Sequence, residues 1–67
     1  MEIILNGKPT RVVDNTTLAD VVRSVVDPNA SGVAVAVNEV VVTQREWPSR
    51  RLAAGDAIEI IHAVQGG

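Results

Sequence analysis

The sequence contains no cysteine, no phenylalanine and no tyrosine, and Trp47 is its one aromatic residue. Without cysteine, no disulfide staples the chain and no thiolate holds a metal or a substrate. With so little aromatic surface, the burial that drives folding falls to aliphatic side chains. Charge of either sign is sparse, giving a net −2. The basic residues Lys8, Arg11, Arg23, Arg45, Arg50 and Arg51 are scattered, so the basic stripe of a nucleic-acid binder is missing. No apolar run approaches the roughly 20 residues of a bilayer span. Met1 to Leu5 has no basic n-region and no long apolar segment, so no signal peptide is expected and a cytoplasmic location is the default.

What is present is aliphatic and β-branched. Hydrophobic residues make up 46% of the 67, mostly Val and Ile, which favours strands in one small domain spanning 1–67. Glu2 to Asn6 is predicted as a strand. Asn6-Gly7 is a strong two-residue hairpin signal, because both positions of a type I′ turn need positive φ. Lys8 to Val13 returns as a second strand, at a sheet edge because Pro9 has no N–H for a ladder. Thr17, with Asp20 three residues on, forms a weaker version of the capping box. Leu18, Val21, Val22 and Val25 then recur at helical spacing. The helix is expected to stop near Val26-Asp27, ahead of Pro28.

Val33 to Val37 alternates valine with alanine, so a strand puts valines on one face and alanines on the other. Asn38-Glu39 is a turn, Val40 to Val42 a short strand, and Thr43 to Trp47 one helical turn closed by Pro48. Gly55-Asp56 is a second turn signal, with Asp56 as turn chemistry. Ala57 to Val64 is the last strand, leaving Gln65-Gly66-Gly67 as a tail. Strand, strand, helix and three strands make an α+β fold, a five-stranded mixed sheet gripping one helix. The expected core is Leu18, Val21, Val22 and Val25 on Ile3, Leu5, Val35, Val37, Ile58 and Ile60. Trp47 is expected to anchor a satellite cluster.

Side chains suited to catalysis are not gathered anywhere. Glu2, Asp14, Asp20, Asp27, Glu39, Glu46 and Glu59 show no paired spacing for acid–base work or a metal. His62 has no neighbouring Asp or Ser and is expected to be an ordinary, partly buried strand residue. Arg50 and Arg51 are expected to be a solvated pair. A metal site and enzymatic activity are therefore not expected. Two other features carry more. By alternation, Ile4, Ala34, Ala36, Glu59, Ile61 and Ala63 point away from the helix and form a flat apolar face suited to docking. The chain also ends Val64-Gln65-Gly66-Gly67. Chance would end roughly 0.5% of chains on two glycines, judged from average usage, so a frayed end is the weaker account.

The element order, the Asn6-Gly7 hairpin, the Val-Ala-Val-Asn segment at 35–38, Arg45-Glu46-Trp47, Gly55-Asp56 and the ending Ala63-Val64-Gln65-Gly66-Gly67 resemble the sulfur carrier family of thiamine biosynthesis, ThiS. The likeness runs along the whole chain. It implies a ubiquitin-like β-grasp fold. It also implies that the carboxylate of Gly67 is adenylated, becomes a thiocarboxylate (a 1-thioglycine) and gives its sulfur to thiazole formation. The implied partners are an E1-like adenylyltransferase, thiazole synthase, and a cysteine desulfurase or sulfurtransferase as sulfur source. The implied ATP and magnesium belong to the adenylating partner, and the chain itself binds no cofactor. One departure is Glu39, where many relatives carry glycine, and a changed turn type with no chemical consequence is expected there. Three alternatives share parts of this pattern: a sulfur carrier for molybdopterin or another pathway, a ubiquitin-like protein modifier, and a β-grasp interaction module without tail chemistry.

Overall fold

The computed structural model describes residues 1–27 and 29–62. Its elements are β1 (Glu2–Leu5), β2 (Lys8–Arg11), α1 (Leu18–Val25), β3 (Val33–Val37), β4 (Val40–Val41), a 3₁₀ helix (Gln44–Ser49) and β5 (Ala57–His62). The five strands form one mixed sheet in the order β2-β1-β5-β3-β4. The chain's last strand is therefore central, parallel to β1 and antiparallel to β3. This is the β-grasp arrangement expected of the sequence, with Pro9 on the edge strand β2, where its missing N–H costs no ladder bond.

Two hairpin turns set the registers. Leu5 pairs with Lys8 around Asn6 (φ 49) and Gly7 (φ 82), and Val37 pairs with Val40 around Asn38 (φ 51) and Glu39 (φ 70). Two-residue loops with both φ positive are primed turns, whose twist matches that of the strands. Glu39 does not shift this turn away from glycine geometry, contrary to expectation. The pairing on either side imposes the left-handed backbone on a glutamate, at a cost of about 1–2 kcal/mol. Glu39→Gly is expected to stabilise the domain by roughly 0.5–1 kcal/mol, raising Tm by several degrees for a chain this small. A thermal melt checks this, and a lower Tm would mean that the Glu39 side chain makes compensating contacts.

Helix α1 begins where the sequence places it. Asp20 N–H donates to Thr17 Oγ1 (3.2 Å) and Thr17 N–H to Asp20 Oδ2 (3.1 Å), a reciprocal capping box. Arg23 adds a 2.8 Å bond to Asp20 Oδ1. The Thr17 backbone N–H foremost, then its hydroxyl and Arg23, hold the Asp20 carboxyl below its ordinary 3.8. A pKa lowered on folding gives stability that is present above the unfolded value and lost as pH falls through the folded one. Tm should therefore drop on acidification from about pH 5 to 2, and Asp20→Asn should shrink that drop. Equal acid sensitivity in the variant would rule out the cap as its source.

The helix ends at Val25, and Val26 turns extended while its N–H still reaches Val22 O at 2.9 Å. Here the core departs from the helical repeat. Val25, expected inside, is 45% exposed, and Val26 packs on the core in its place. The chain leaves the helix at that point, so the 3.6-residue period no longer places side chains. The core comprises Ile3, Leu18, Val21, Val22, Val35, Val37, Ile58 and Ile60, joined by Val42, Trp47 and Leu52, with Leu5 partly buried against it. Trp47 is thus part of the main core and not a satellite. Its indole N–H donates to the buried Val42 carbonyl at 2.9 Å.

The 3₁₀ helix runs through Pro48 instead of closing there. A short 3₁₀ segment leaves several N–H groups without internal partners anyway, so proline breaks little. Arg50 and Arg51 are exposed as expected, yet their backbone has a task. Leu18 N–H donates to Arg50 O (2.8 Å) and Leu52 N–H to Thr16 O (3.1 Å), tying the start of α1 to this segment.

Candidate functional site

β5 organises the candidate site, because it is the central strand and leads into the chain's last residues. Alternation along it is clean: Ile58 and Ile60 are buried, Glu59 and Ile61 exposed. Register brings the expected outward residues together. Ala34 lies opposite Ile61, Ala36 opposite Glu59, and Ile4 opposite Ala57. Ala34 is exposed, Ile4 and Ala36 half-buried, and Ile61 is 62% exposed. The face away from α1 is therefore largely apolar around Glu59, with Glu2 and Arg11 paired on the same side at its β1–β2 end. Ala63 of this candidate face, and the tail residues Val64, Gln65, Gly66 and Gly67, lie outside the described residues.

Sequence reasoning missed one member. Val41 is 72% exposed and pairs with Ala36, which extends the apolar face to the edge strand β4. Val40-Val41-Val42 has no polar residue to mark its phase, so alternation is invisible there. Only the pairing with β3 decides that Val42 goes in and Val41 out.

His62 does not take its expected place. It is exposed, at the end of β5 opposite Val33. It shares a side with Ile58 and Ile60, but burial fades along that side from Ile58 to Ile60 and is gone at His62. Among the described residues no three His, Asp or Glu side chains cluster as metal ligands.

Side-chain amides fasten β5 at both ends. At its start, Asn38 Oδ1 accepts from Ala57 N–H (3.0 Å), and Asn38 Nδ2 donates to Asp56 Oδ1 (3.0 Å). Asp56 also accepts from Ala53 N–H at 2.8 Å, closing the turn around Gly55 (φ 85) as its sequence suggested. Near its end, Ile60 N–H donates to Asn6 Oδ1 at 2.8 Å.

Comparison with known proteins places this architecture. The model of the ThiS family matches residues 3–67. The sulfur carrier protein ThiS of Thermus thermophilus is 38% identical over 63 residues, covering 94% of this chain and 95% of that protein. The crystal structure of the thiamine biosynthesis protein ThiS from Geobacter metallireducens matches with a TM-score of 0.80 at 25% identity, over 100% of both chains.

Proposed function

This chain belongs to the ThiS family, and from that premise we propose that it carries sulfur for the thiazole ring of thiamine on the carboxylate of Gly67. The supporting observation is positional. The strand at the centre of the sheet leads toward the Gly66-Gly67 segment, whose two residues have no side chains. Glycine lets the surrounding walls approach the backbone closely.

The chemistry follows from the carboxylate. Alone it is a poor electrophile. An adenylating enzyme using ATP and magnesium attaches AMP to the carboxylate and releases pyrophosphate. A persulfide, supplied through a cysteine desulfurase or sulfurtransferase, attacks the carbonyl carbon and AMP leaves. A second thiol then cleaves the S–S bond, taking the donor's sulfur into a disulfide and leaving a thiocarboxylate on Gly67. Thiazole synthase receives that sulfur. In this scheme the chain is a carried substrate in the cytoplasm and not a catalyst. The apolar face of Ile4, Ala34, Ala36, Val41 and Ile61 docks the partners, and Glu59 selects a surface with a basic group at that point.

Intact mass tests the proposal. Incubation with the adenylating enzyme, ATP, magnesium and a sulfur donor should replace one oxygen by sulfur. An unchanged mass would leave a bare interaction module. Adducts on other proteins would indicate a modifier.

A further inference from the structure

β1 and β5 pair only briefly. Their register covers Ile4↔Ala57 and Leu5↔Ile58, and Asn6 N–H adds one more bond, to Ile58 O at 2.8 Å. There β1 turns away into the hairpin, while β5 continues to His62 beside β3. The next β5 amide facing β1 is that of Ile60. No β1 carbonyl takes it; the Asn6 side chain does, across 54 positions of sequence and in a partly buried setting.

We propose that Asn6 is a positioning residue for the C-terminal tail: its side-chain carbonyl replaces the missing rung of β1 and fixes the course of β5 at Ile60, on the way to the chain's working end. This rests on the proposal that the tail is the working part. The turn alone does not account for the bond. An Asn-Gly pair satisfies a type I′ hairpin by backbone geometry, with its side chain free to face solvent. Here the amide is spent on the other end of the chain, seven positions before Gly67. An unanchored Ile60 would let the end of β5 fray from one side, and each threading event would then have to order it again.

Asn6→Gly separates the two roles, because glycine adopts the positive φ of the turn freely but offers no acceptor. Asn6→Asp tolerates the same backbone and restores one. Hydrogen exchange at the Ile60 amide should speed up roughly five- to tenfold in Asn6→Gly, the net worth of one hydrogen bond, while the Val35 amide changes less. Well below Tm, kcat/KM for sulfur loading should fall several-fold, mostly through KM for the carrier, and Asn6→Asp should recover much of it. Asn6→Gly with normal Ile60 exchange and normal loading would overturn the assignment. So would faster exchange with unchanged KM, since the bond would then be structural only. Failure of the unaltered protein to load under the same conditions would instead defeat the sulfur-carrier proposal, and Ile60 exchange would still decide whether Asn6 anchors β5.

Discussion

Removing Gly67 is expected to abolish sulfur loading while leaving the thermal melt within about 0.5 kcal/mol of the parent. The described register reaches His62, opposite Val33, and Gly67, outside it, has no side chain to take from the core. Without it the reacting carbon falls one residue short, about 3.3 Å along an extended chain. Misplacement by as little as 1 Å can cost about a hundredfold in rate, and this displacement is larger. Adding residues beyond Gly67 has the same expected outcome for a different reason: the Gly67 carboxylate becomes a peptide amide, and the only terminal acid is displaced past the reacting position on a residue that carries a side chain. Intact-mass measurement of both variants after incubation with the adenylating enzyme checks this. Loading of either one at the parental rate would place the chemistry somewhere other than the Gly67 carboxylate.

Ile61→Asp is expected to weaken binding to the adenylating partner about 10- to 100-fold. The estimate comes from burying one isoleucine, roughly 1.5–3 kcal/mol, at about 1.4 kcal/mol per tenfold. The aspartate would also bring a second carboxylate beside Glu59. Because Ile61 is 62% exposed on the outer face, opposite Ala34, its replacement removes no core contact. The stability change should stay near the roughly 1 kcal/mol spread of strand propensities. Binding is read by calorimetry and folding by thermal melt. Unchanged affinity would move the docking surface away from this face of β5. A combined loss of folding and binding would show that Ile61 supports the core.

Features encoded within a few residues are legible in the sequence. The capping box of Thr17 and Asp20, the turn at Asn6-Gly7 and the boundaries of α1 all depend on neighbours at most four positions apart. Strand alternation in Val33–Val37 and Ala57–His62 is legible for a similar reason, since a polar or small residue marks most second positions. Alternation fails at Val40-Val41-Val42, where three identical side chains erase the phase. Helical periodicity fails at Val25, because the chain changes conformation at the next residue and Val26 takes over the packing. Trp47 is recognisable as an anchor, but its cluster is not, since Val42 and Leu52 reach it only after β4 and the 3₁₀ helix have folded back.

By itself the sequence determined the kinds of element, their order, both hairpin turns, and an ending with no side chain to obstruct it. It did so because propensity, capping and turn chemistry act over a single turn or pleat. Tertiary structure alone decided that the last strand lies between β1 and β3, that Val41 joins the exposed face, and that Asn6 holds the amide of Ile60. Those outcomes depend on which strands become neighbours. That choice is made by burying all the apolar faces at once, and no local pattern records it.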